Sequence, residues 1–185
     1  MQGGDGNFYG ATFGGGEGNG GTIFKIGHEG TLSILDSFCA FSYPFCNGRT
    51  GLGLVKGTDG NFYGMTLSGP GTIFKVTPDG ALTTIYSFCA KIACADGSTP
   101  RGALNLGRDG NFYGTTYYGG TSNQGTVFKI TPSGVLTTLH SFNGWDGRYP
   151  IGGLSQASNG AFYGTTTSGG SGGQGTIYRL SGDQE

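Results

Sequence analysis

The hexapeptide DGNFYG stands at residues 5–10, returns unaltered at 59–64 and 109–114, and appears once more as NGAFYG at 159–164. Its phenylalanines, Phe8, Phe62, Phe112 and Phe162, are separated by 54, 50 and 50 residues. Self-similarity at such a period signals a repeat architecture. Working outward, GTIFK begins at Gly21 and Gly71, GTVFK at Gly125 and GTIYR at Gly175. SILDSF, TTIYSF and TTLHSF begin at Ser33, Thr83 and Thr137, while GLGLVKG, GALNLGR and GGLSQAS begin at Gly51, Gly102 and Gly152. The chain therefore reads as one repeat domain over 1–185, with repeats at 5–58, 59–108 and 109–158 and a partial one at 159–185.

Each period holds four short segments rich in β-branched and aromatic residues, bounded by Gly, Asp, Pro or Ser, which is the ordinary strand signal. In the third period these are GALNLGR, NFYGTTYY, GTVFKIT and VLTTLHSF, called A to D here. Asp-Gly between A and B, and Thr-Pro-Ser-Gly or Thr-Pro-Asp-Gly between C and D, are hairpin turns. Adjacent Phe and Tyr on one strand point to opposite faces, so both faces of the small sheet must be covered. The expectation is an all-β chain, a β-propeller of four-stranded antiparallel blades of about 50 residues. A β-helix or open β-array is the competing architecture, but solenoid coils are shorter and fit the internal hairpins badly. About four blades are expected, with the first lacking its A strand and the last its D strand, so a closed four-bladed ring would leave two edges short. Either the chain is cut from a longer array, or two chains form a homodimer that completes a larger ring.

Composition narrows the partners. Ten Lys and Arg against eleven Asp and Glu leave a net charge of -1, with no basic stripe for a nucleic acid and no polybasic anchor. The 42 glycines fit tight turns rather than disorder, because 13% aromatic residues supply apolar surface to bury. No run of about 18 apolar residues predicts a membrane span. The start, MQGGDGNFYG, has neither a charged n-region nor an apolar h-region, so an exported protein would have lost its signal peptide.

Four cysteines follow two of the D segments, in FCAFSYPFC and FCAKIAC. Pairing within each loop closes short rings, predicting Cys39 with Cys46 and Cys89 with Cys94. A zinc site is the rival, but the spacings are loose and the pairs belong to different repeats. Two disulfides predict an oxidising setting.

The unit DGNFYGTTxxGGxxxxGTVFKITPxGxLTTLxSF, best seen at 109–142 and followed elsewhere by a Cys-containing loop, resembles the GloVer-type tandem repeat of bacterial choice-of-anchor extracellular proteins. The resemblance covers essentially the whole chain. It implies export to the bacterial cell surface and attachment through a C-terminal sorting signal, which the closing residues GDQE do not contain. It implies no activity and no catalytic residues.

The ionisable groups read mainly as architecture. Asp5, Asp59 and Asp109 sit in turns and give way to Asn159 in the fourth copy, a change that a general acid would not tolerate. Lys25, Lys75, Lys129 and Arg179 share one strand position, and His28 and His140 form no catalytic or metal-spaced set. The glycine-rich stretches FGGGEGNGG and SGGSGGQG open no helix and so make weak phosphate loops. The Asp-Gly turns lack the oxygen cluster that calcium needs. No cofactor is expected.

The informative asymmetry lies between the two ends of the blade. The A-to-B and C-to-D turns are short and repetitive, whereas the B-to-C and D-to-A loops vary and carry Tyr43, Arg49, Arg101, Tyr117, Tyr118, Trp145, Arg148 and Tyr149. Loops presented by a rigid scaffold carry function, and Tyr, Trp and Arg anchor interfaces. The expected function is an extracellular binding or adhesion module holding a glycan or an extracellular protein; Trp145 and Tyr149 covering the rim of their own blade is the plainer alternative. An enzyme acting on an extracellular polysaccharide is another, but Lys56, Asn105, Arg108 and Gln156 of the A segments include no acid. A passive spacer is a third.

Overall fold

In the computed structural model, which describes residues 1–39 and 53–181, every copy of the hexapeptide folds as a turn followed by a sheet-forming strand. Asp59 Oδ1 accepts a hydrogen bond from the Asn61 amide at 3.2 Å, while Oδ2 accepts from Asn61 Nδ2 and from the Tyr63 hydroxyl, both at 2.7 Å. Asp5 makes the same three bonds with Asn7 and Tyr9, and Asp109 with Asn111 and Tyr113. The Asp side chain thus builds the turn and ties it to a tyrosine four residues on. In the fourth copy Asn159 keeps the bond to the backbone, from Ala161 N at 3.1 Å.

These bonds show in the ionisation of both partners. Burial pushes Tyr9 up to about 12, and the Asp5 carboxylate beside it adds to the shift. Burial also raises Tyr63 and Tyr113, each with its Asp as the second cause. For Asp59 and Asp109, burial alone would raise the carboxyl, but the bonds from Asn and Tyr outweigh it and hold it below the usual range. Asp109→Ala is therefore expected to cost about 1–3 kcal/mol, because it leaves the Tyr113 hydroxyl without its acceptor. Urea unfolding of the variant against the parent checks this.

The described chain forms two compact units, Met1–Ser87 and Phe88–Glu185. In the first unit, strands β1 (Phe8–Ala11), β2 (Asn19–Ile26) and β3 (Leu32–Cys39) make one antiparallel sheet, in which Gln2 also bridges to Phe8. A second sheet runs β4 (Val55–Lys56), β5 (Phe62–Thr66), β6 (Thr72–Val76) and β7 (Leu82–Ser87) in chain order. In the second unit, β8 (Ser98–Pro100), β9 (Asn105–Leu106), β10 (Phe112–Tyr118), β11 (Thr126–Ile130) and β12 (Leu136–Ser141) form one sheet. The other contains β13 (Arg148–Pro150), β14 (Ser155–Gln156), β15 (Phe162–Ser168) and β16 (Ile177–Leu180).

The predicted A strand is where sequence and structure part. Within GALNLGR only β9 is a strand, and β8 precedes that segment; both pair with β10, as β13 and β14 both pair with β15. The chain between them contains Arg101, Gly102 and Ala103, which break the ladder. A recurring threonine pair closes the far end of the B-to-C hairpin: Thr66 and Thr72 hydroxyls lie 2.9 Å apart, and Thr116 and Thr126 lie 2.7 Å apart.

Within each unit, aromatic rings join one blade to the next. Tyr9 stacks on Phe62 with centroids 4.1 Å apart, and Tyr113 stacks on Phe162 at 4.0 Å. The Phe that ends each D segment adds a second contact, Phe38 on Phe74 at 5.3 Å and Phe142 on Tyr178 at 5.1 Å. Tyr9, Ile23, Phe38, Phe62, Phe74 and Val76 form the core of the first unit; Tyr113, Val127, Phe142, Leu154 and Phe162 form that of the second. The glycine of the hexapeptide belongs to this packing. Gly114 lies opposite Phe128 in the ladder, and a Cβ there would fall 2.6 Å from the Phe128 ring. The hexapeptide thus shapes a turn with Asp and Gly, admits a ring with its last Gly, and joins blades with Phe and Tyr.

Candidate functional site

In the second unit, β10 carries Tyr117 and Tyr118 at its end, β13 carries Arg148 and Tyr149, and Arg101 follows β8 directly. Tyr117 and Tyr118 end the strand expected over NFYGTTYY, whereas Arg148 and Tyr149, expected on a loop, lie on a strand. The backbone of Tyr149 sits at φ 59°, a left-handed conformation that costs a non-glycine residue about 1–3 kcal/mol and persists only when its surroundings hold it. Here they do: the Tyr149 amide donates to Gln124 O at 2.8 Å, and its carbonyl accepts from Thr167 Oγ1 at 2.9 Å.

That conformation lays the Tyr149 ring against Tyr117, with centroids 4.9 Å apart and planes 16° from parallel. Tyr118 meets both rings edge-on, at 4.7 Å from Tyr117 and 5.6 Å from Tyr149. The Arg101 guanidinium stands 4.8 Å over Tyr117, and that of Arg148 stands 5.5 Å from Tyr149. Each cation–ring contact at a solvent-facing site contributes about 0.5–1 kcal/mol. Among the described residues neither guanidinium is within salt-bridge distance of a carboxylate. The arrangement is a cluster of three tyrosine rings with two arginines set against them.

The other predicted residues stand apart. Trp145 is 85% exposed, and its ring joins no aromatic pair among the described residues; only its amide is fixed, by Asn143 Oδ1 at 2.9 Å. Tyr43 and Arg49 lie outside the described residues, as does Cys46, so the Cys39–Cys46 pairing lies there too. The Cys89–Cys94 disulfide is present. Its loop is anchored by fully buried Asp96, which accepts from the amides of Ala90 at 3.0 Å and Lys91 at 3.2 Å.

Two contacts have no sequence signal. His140 Nε2 lies 2.8 Å from Asp146 Oδ2, while Asp146 Oδ1 accepts from Asn143 N at 2.9 Å, so the pair braces the loop that carries Trp145. The A-segment residues are tied into structure: Arg108 donates from Nη1 to Ser158 O at 2.7 Å and from its amide to Gln156 Oε1 at 3.1 Å. Among the described residues no three His, Cys, Asp or Glu gather as a metal site, and no helix is long and apolar enough to cross a membrane. The assembled groups present aromatic faces and positive charge.

Two solved structures place the fold. A luciferin-regenerating enzyme is 14% identical, with a TM-score of 0.61 over 100% of this chain and 60% of its own. A gluconolactonase from Xanthomonas campestris is 14% identical, with a TM-score of 0.53 over 88% of this chain and 52% of its own. This chain thus spans between half and two thirds of the length of these propeller-type proteins, and at such identity the likeness shows the fold alone. No curated protein matches the sequence. With its period, its blades and a family model that matches residues 1–185, the chain belongs to the Gloeobacter/Verrucomicrobia repeat family.

Proposed function

We propose that the chain is a binding module acting outside the cell, and that Arg101, Tyr117, Tyr118, Arg148 and Tyr149 take an acidic glycan. The observation that carries this reading is the convergence of three tyrosine rings with two guanidiniums that have no carboxylate partner among the described residues. Tyrosine faces stack on the C–H surface of a sugar ring, and a planar guanidinium matches a carboxylate with two parallel hydrogen bonds. An extracellular setting agrees with the Cys89–Cys94 disulfide, which would not persist in a reducing cytosol. A second copy of the chain belongs to the same reading as a partner. The polysaccharide-enzyme alternative draws support from the enzyme names of the structural neighbours, but Arg108 and Gln156 are committed to bonds between blades.

A glycan array containing uronate-bearing and neutral oligosaccharides, followed by calorimetry on the best ligand, tests the reading. Arg101→Ala and Tyr117→Ala are each expected to weaken binding about tenfold or more, equivalent to about 1.4 kcal/mol. Trp145→Ala, outside the cluster, is expected to stay within about twofold. Affinity unchanged in both Arg101→Ala and Tyr117→Ala would remove this site from consideration.

A further inference from the structure

Within each unit the seam between blades follows one rule. The tyrosine of a hexapeptide stacks on the phenylalanine of the next hexapeptide, as Tyr9 does on Phe62 and Tyr113 on Phe162. The third residue of the GTxF segment lies beneath that stack: Ile23 and Val127 are both fully buried, in the same clusters as Phe62 and Phe162. Two faces depart from the rule. In the last blade Ile177, at the position of Ile23 and Val127, is 82% exposed, and Tyr163, at the position of Tyr9 and Tyr113, is 38% exposed. In the first blade Phe8, at the position of Phe62 and Phe162, is 48% exposed.

These exposures are complementary. One face offers the tyrosine and the aliphatic side chain of a seam, and the other offers its phenylalanine. The recess beside Tyr163, about 210 Å³, is lined by Gly153, Ser155, Gly164, Thr165 and Ile177, and Arg179 pairs with Tyr163 as Lys25 and Lys129 pair with Tyr9 and Tyr113 in the inner seams. A net charge of -1 sets little repulsion between copies. We infer that the Tyr163–Ile177 face of the last blade docks on the Phe8 face of the first blade of a second copy of this chain, by the ring stack that joins blades inside each unit. The contact is heterologous, so it closes into a ring or extends as an array according to the rotation per copy. It shares no residue with the arginine–tyrosine cluster, so either proposal can fail without the other.

Light scattering coupled to size-exclusion chromatography, over a concentration series of the full chain, tests this. The parent is expected to shift with concentration from the monomer mass to at least twice that mass. Ile177→Asp and Phe8→Asp each spoil one face and are expected to remain monomeric, with the circular dichroism of the fold retained because Ile177 is 82% and Phe8 48% exposed. Mixed in equal amounts, the two variants keep one intact face each and are expected to form a 1:1 dimer. A parent that stays monomeric throughout, variants that associate like the parent, or a mixture that stays monomeric would each overturn the inference.

Discussion

Phe62→Ala is expected to lose about 3–5 kcal/mol of folding stability, the cost of deleting a buried aromatic ring together with the cavity it leaves. Phe62 is fully buried, stacks on Tyr9 at 4.1 Å and belongs to the core of the first unit. A domain of this size has only about 5–15 kcal/mol in total, so the loss is a large fraction of its stability. Trp145→Ala removes a larger ring, yet one that is 85% exposed, and is expected to stay within about 0.5 kcal/mol. Urea unfolding of the two variants side by side decides whether stability resides in the seams between blades. A loss under about 1 kcal/mol for Phe62→Ala would show that it does not.

Alkaline unfolding coupled to tyrosine ionisation is the second large effect expected. Burial, followed by the hydrogen bond to Asp5, pushes Tyr9 up to about 12; burial also raises Tyr63, Tyr113 and Tyr178. For Tyr178 burial acts alone, since its buried hydroxyl has no hydrogen-bond partner among the described residues. An unfolded tyrosine ionises near pH ~10, so the raised groups contribute stability that is complete below that value and is lost as pH rises through their folded values. On the acid side the sign reverses. Asp59 and Asp109 are lowered in the fold, so their contribution is present above about pH 3.9 and disappears as pH falls through their folded values. Of the ten tyrosines, these four are expected to stay un-ionised in the folded chain and to appear as phenolate together with the loss of circular dichroism. Smooth titration of all ten near pH ~10 with the fold intact would contradict the burial described here.

The repeat was legible because it is written in residues that act locally. Asp and Gly shape a turn within six positions, and alternating β-branched and aromatic residues mark a strand whatever lies beyond it. Strands β10, β11 and β12 accordingly fall within the segments read from the sequence. The split first strand was not legible, because β8 contains Pro100, β9 has only two residues, and neither is long enough to show a period. Reading Arg148 and Tyr149 as loop residues has the same cause, since β13 ends on Pro150 and is three residues long.

The candidate site was half legible. Tyrosine and arginine stood out on variable segments, but nothing in their spacing separates Tyr117 and Tyr149, which meet, from Trp145, which does not join them. The paired bonds of His140 and Asp146 were equally silent, because a side-chain contact across a loop leaves no periodic trace.

By itself the amino-acid order determined the blade: its turns, its three long strands and the Asp–Tyr tie, all set by hydrogen bonds and sterics among residues close in the chain. Only the tertiary structure decided what each ring touches. Tyr9 finds Phe62 across 53 positions and Tyr113 finds Phe162 across 49, because apolar surface left on one blade is covered by the next. Tyr149 meets Tyr117 because bonds to Gln124 and Thr167, from other segments, hold its backbone at a φ of 59° that its own sequence disfavours.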